Sequence, residues 1–142
     1  MKVVVDASVV VKWLIEDATA EPDSERATDL MQAVVLGTVG IVQPVHWLLE
    51  VGAVLARRSP ATAVADLERL HAMEWPVCDD SGVLRAACNL SITLGQHLFD
   101  TLYHAVALDT PGTVLVTADQ RYLRAAQRHG QICALREWRR IN

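Results

Sequence analysis

KVVVDASVVVKWL, residues 2–14, sets one carboxylate, Asp6, between two runs of three valines. The first run is apolar without alternation and β-branched, so Lys2 to Val5 reads as a short strand buried on both faces. Ala7 to Ile15 reads as the helix behind it. Stripping a carboxylate of water without a partner costs several kcal/mol. Asp6 therefore stands either at an edge where the core opens or opposite something positive. For Asp6 alone the plainest role is to cap the helix behind it, a position that favours aspartate.

The same alternation continues down the chain. A helix is predicted over Pro22 to Leu36, with Asp23 or Ser24 as its cap and Gly37 as its stop. Gly40 to Gln43 reads as a strand, and Pro44 opens a helix over Val45 to Arg58 that ends at Ser59-Pro60. Further helices are predicted over Ala61 to Met73, Ser81 to Leu94 and His97 to Leu108, with a short strand at Trp75 to Cys78. TVLVTAD, residues 113–119, reads as an apolar strand with Asp119 at its end. A helix from Gln120 to His129 and a last strand, Ile132 to Leu135, complete the order. Helices alternating with β-branched runs imply an α/β fold, a parallel sheet flanked by helices on both faces. Such sheets take their ligands outside the carboxyl ends of the strands.

A length of 142 residues suits one domain, residues 1–142. No apolar run nears the roughly 18 residues that span a bilayer, so no membrane partner is expected. The opening residues lack a charged lead, an apolar core and a cleavage site, which points to the cytoplasm. Cys78, Cys88 and Cys133 have no CxxC spacing and read as buried, reduced thiols. The net charge of −4 argues weakly against nucleic-acid binding, but its distribution is uneven. Between Gln120 and Asn142 six arginines (121, 124, 128, 136, 139 and 140) face one acid, Glu137. From Glu16 to Asp29 six acids face Arg26 alone, and either run reads equally as a solvated helix face.

Four acids stand out. Asp6 and Asp119 each follow a strand and meet at one sheet edge if those strands are neighbours. Glu50 is the only charge between Pro44 and Arg57, on a helix apolar nearly all round. Asp100 lies in HLFDTLYHAVAL among Leu98, Phe99, Leu102, Ala105 and Val106. Packed together, four carboxylates would push one another's pKa upward, and a divalent cation removes that conflict. Oxygen ligands without Cys suit Mg²⁺ or Mn²⁺ and argue against zinc. Ser8 and Thr117, each two residues from a strand-end acid, are placed to orient those carboxylates. Lys12, Arg121 and Arg124 are candidates to hold flanking phosphates.

These segments resemble the PIN domain and, within it, the VapC-type toxins of toxin–antitoxin pairs. VVVDASVVVKWL is similar to the family's opening strand with its first acid, and PVHWLLEVGAVLAR to the helix bearing the second. LFDTLYHAVALD is similar to the segment often written YDALYLALA, and VLVTADQRYLRAA to the late strand with its threonine–acid pair. The resemblance implies a Rossmann-like sheet and an Mg²⁺- or Mn²⁺-dependent endoribonuclease that leaves a 5′-phosphate and a 3′-hydroxyl. Asp6, Glu50, Asp100 and Asp119 would be its catalytic metal ligands. It further implies a cognate VapB-type antitoxin, an RNA substrate and a homodimer.

The chain departs from the family at the residues after Glu50. Val51, Gly52 and Ala53 stand where a small residue and then Asn are common, and Gly52 marks a close helix contact. His97 and His104 flank Asp100, and His104 reads as packing or lining the cleft. Trp13, Trp47 and Leu48 read as core rather than as a groove for a partner helix. A dehalogenase-like phosphatase would need a second Asp where Ser8 stands. The remaining alternative is a PIN-like scaffold that binds RNA or protein without cutting.

Overall fold

The computed structural model describes residues 1–15 and 23–139. In chain order its elements are β1 (Lys2–Val5), α1 (Ala7–Leu14), α2 (Ser24–Val35), β2 (Gly40–Ile41), β3 (Gln43–Pro44), α3 (Trp47–Arg58) and α4 (Ala63–Ala72). They continue with β4 (Val77–Cys78), α5 (Ser81–Leu94), α6 (Leu98–Asp109), β5 (Thr113–Thr117), α7 (Gln120–Ala126) and β6 (Ile132–Ala134). Strands β2, β1, β5 and β6 lie in that order in one parallel sheet. Val3, Val4 and Val5 are fully buried, so helices cover both faces of β1 as its unbroken valine run requires. Val9, Val10 and Val11 of α1 are buried in the same core.

Most predicted elements are present with ends shifted by one or two residues. The strand predicted over Gly40 to Gln43 is divided instead. Val42 donates its N–H to Val3 O (3.0 Å), whereas Gln43 donates to Pro76 O (2.9 Å), so the chain leaves the main sheet to pair with β4. Pro44 consequently sits in β3, and α3 starts at Trp47 behind His46. The start predicted at Pro22 lies outside the described residues, as do Glu16, Asp17, Glu21 and Arg140 of the charge runs. Cys133 and Cys78 are half-buried and Cys88 is exposed, which corrects the expectation of three buried thiols. All three are free, and burial pushes the Cys133 thiol up to about 11. No described helix is long and apolar enough to cross a membrane.

Packing explains the other marked residues. A Cβ on Gly52 would lie 3.1 Å from Leu67 Cδ1, so glycine lets α3 approach α4 closely. Trp47 is buried against Trp75 with ring centroids 4.9 Å apart, while Trp13 and Leu48 pack on the core. His104 is fully buried, its Nε2 2.8 Å from Gly130 O and its Nδ1 3.0 Å from Tyr122 OH. Those partners assign a neutral ring, with Nε2 donating and Nδ1 accepting, and burial pushes its pKa down. The histidine thereby joins α6 to α7. His104→Leu would leave the Gly130 carbonyl and the Tyr122 hydroxyl unpaired, and is expected to cost about 2–4 kcal/mol in urea unfolding.

Candidate active site

The register of β1 against β5 decides where two of the acids meet. Val5 pairs with Val116, and Asp6 N–H donates to Val116 O (3.1 Å), so Asp6 leaves its strand beside Thr117. The Asp6 carboxylate does not cap α1. Its Oδ2 accepts from Thr117 Oγ1 (2.7 Å) and Ser8 Oγ (2.9 Å). Ser8 Oγ in turn accepts from Ala118 N–H (3.1 Å), and Thr117 Oγ1 from Asp119 N–H (3.0 Å). The two hydroxyls thus lock one oxygen of Asp6 and brace the loop that carries Asp119. Asp119 does cap a helix, with Oδ1 accepting from Tyr122 N–H (3.0 Å). On both aspartates one oxygen is tied by the protein, and the other takes no hydrogen bond from a described residue.

Glu50 and Asp100 arrive from the first turns of α3 and α6. All four acids line one cleft of ≈ 290 Å³, together with Ser8, Lys12 and Arg58. Asp6 is 8 % exposed. Burial, with the nearby Glu50 and Asp100 charges, pushes its carboxyl up from 3.8 to about 6 despite the two hydroxyl bonds. Asp100 is pushed up by burial and by Asp119 and Glu50, against a smaller pull from His97 and His46. Glu50 Oε2 is buried. His46 Nε2, which donates to Phe99 O (2.9 Å), lies 3.1 Å from that oxygen, within ion-pair distance when the ring is protonated. The Tyr103 hydroxyl, also buried, is pushed up in pKa by burial and by the Asp6 and Glu50 carboxylates beside it.

Among the described residues, no three His, Cys, Asp or Glu side chains are grouped closely enough to hold a metal ion as they stand. The donor set nonetheless fits a hard divalent cation. It is made of carboxylate oxygens, one of them buried, in a cleft where burial and mutual repulsion raise two of the acids. A larger cavity, ≈ 480 Å³ between α5 and α6, is lined mainly by Val83, Ala86, Leu90, Ala105 and Leu108, with Asp109 its one carboxylate.

Of the basic residues considered for phosphate, Lys12 lines the cleft, whereas Arg121 and Arg124 are exposed and outside its lining. Sequence reasoning passed over Arg58, which does line it. His97 caps α6 by accepting from Phe99 N–H at Nδ1 (3.1 Å), and His104 is turned into the core, so the pair forms no metal face with Asp100. Gln43, His46 and Tyr103 were also not foreseen. Only the break between β2 and β3 brings the first two to this end of the sheet, and no local pattern marks it.

The family model described as PIN domain matches residues 3–128. No curated protein matches the chain.

Proposed function

The chain belongs to the PIN domain family, whose members are generally nucleases that use divalent metal ions, and we propose that it is an Mg²⁺- or Mn²⁺-dependent endoribonuclease of the VapC toxin type. The observation that carries this reading is the cleft of four carboxylates, with Asp6 raised to about 6 and Glu50 Oε2 buried. Gathering and desolvating carboxylates is costly, and a bound cation offsets that cost. Asp6, Glu50, Asp100 and Asp119 would hold it. When bound there, the cation lowers the pKa of water and offsets the charge of a phosphodiester.

The chain's own groups do the rest. Ser8 and Thr117 hold Asp6 in one orientation by donating to Oδ2. The N-cap bond to Tyr122 does the same for Asp119. Lys12 and Arg58 line the same cleft, where they can hold phosphates that flank the scissile one. Products would carry a 5′-phosphate and a 3′-hydroxyl. The toxin reading adds a small VapB-type antitoxin, a homodimer and a cytoplasmic setting, on the resemblance of the four quoted segments.

The test is purified protein, freed of any partner, incubated with labelled single-stranded and structured RNA. Cleavage that requires Mg²⁺ or Mn²⁺ and stops with EDTA or with Asp100→Asn supports the nuclease. RNA that stays intact across substrates and metals would favour a binding scaffold.

A further inference from the structure

Gln43 connects the strand that ends at Asp6 to the segment that leads to Glu50. The main chain crosses from the central sheet to the second sheet between Val42 and Gln43, as the bonds to Val3 O and Pro76 O show. The edge of β1 facing β2 is therefore left without a main-chain partner at Val5. An unpaired N–H and C=O at a buried strand end would be costly. The Gln43 side chain supplies both bonds. Val5 N–H donates to Oε1 (2.9 Å), and Nε2 donates to Val5 O (2.9 Å). Its carboxamide, fully buried, takes the place of the missing peptide group.

We propose that Gln43 is a positioning residue for the carboxylate site, holding the end of β1, and with it Asp6, in register with the segment that enters α3 and carries Glu50. The proposal rests on reading the carboxylates as cation ligands. Asp6 is the next residue after Val5, and His46, which abuts Glu50, lies three residues beyond Gln43. One side chain thus sets the spacing between two acids that come from different elements. Leu or Met would fill the volume but leave Val5 unpaired. Glu would give Val5 O no donor when ionised and would add a buried charge beside Asp6.

The test is Mn²⁺ binding measured by calorimetry on the folded protein, with RNA cleavage at saturating Mn²⁺ as a second readout. Gln43→Met is expected to weaken Mn²⁺ binding about tenfold or more, as loss of an outer orienting bond does at other metal sites. Leu30→Val, in buried α2 away from the cleft, serves as a stability-lowering comparison and should keep wild-type affinity. Gln43→Asn, too short to make both bonds, provides a second variant should the Met variant fail to fold, and should shift affinity in the same direction. Wild-type affinity in the folded Gln43 variants would overturn the positioning role and leave the cation reading intact. A wild-type protein that binds no Mn²⁺ would overturn the cation reading, and this proposal with it.

Discussion

Asparagine in place of Asp6 is expected to abolish RNA cleavage while making the cation-free protein more stable at neutral pH. Asn keeps an oxygen for the bonds from Thr117 and Ser8 but carries no charge. The folded protein holds the Asp6 carboxyl at about 6 against an ordinary 3.8. Between those values the folded state binds more protons than the unfolded one, so this group's contribution to stability falls as pH rises through the window. Above pH 6 the full penalty applies, on the order of 3 kcal/mol at about 1.4 kcal/mol per pKa unit. Wild type and Asp6→Asn should therefore unfold alike near pH 4. Near pH 7.5 in EDTA the variant should melt on the order of 10 °C higher. Activity should move the other way. Outer partners of metal ligands are worth about 10–100-fold, so loss of a ligand should cost on the order of 100-fold or more. A variant less stable than wild type at pH 7.5 would show that the carboxylate is not strained by burial.

Millimolar Mg²⁺ or Mn²⁺ should raise the melting temperature of the wild-type protein. A ligand that binds only the native state at a hundredfold excess over its Kd adds about 2.7 kcal/mol, a rise of roughly 8 °C for a chain of this size. The cause would lie in the cleft, where a bound cation would offset repulsion between Asp6, Glu50 and Asp100 and remove the pressure that raises the two aspartates. Glu50→Gln should remove most of the rise, because Glu50 contributes to the raised pKa of both aspartates. Differential scanning fluorimetry at fixed ionic strength separates this effect from general salt screening. Equal shifts in wild type and Glu50→Gln would place the cation elsewhere.

Much of this was legible in the chain because it depended on local chemistry. Three valines before Asp6 read as a strand covered on both faces, and Val3, Val4 and Val5 are fully buried in β1. Glu50 stood out as a charge on an apolar helix, and its Oε2 is buried. Gly52 signalled the close approach to α4, where a Cβ would press against the Leu67 side chain at 3.1 Å. The failures came where a distant partner outweighed local preference. Pro44 has the residue type that opens helices, yet Pro76 O captured the preceding N–H and drew the segment into a second sheet. Cys88 looked like core by type and lies exposed on α5.

By itself the sequence determined the periodicities, and so most strands and helices and the two acids that follow strands, while the pairing of those strands came from the fold. It also marked Glu50 and Asp100 as charges in apolar surroundings, because burial preference is a property of each residue type. Only the tertiary structure decided which oxygens are tied and which are left open. Ser8 and Thr117 converge on Asp6 Oδ2 across a parallel strand pair, and Gln43 stands in for a peptide group that its own chain carried away. Hydrogen bonds between residues 38 or 111 positions apart depend on register and on where a strand breaks. No local pattern encodes either, since both are settled by the competition of all the strands for partners.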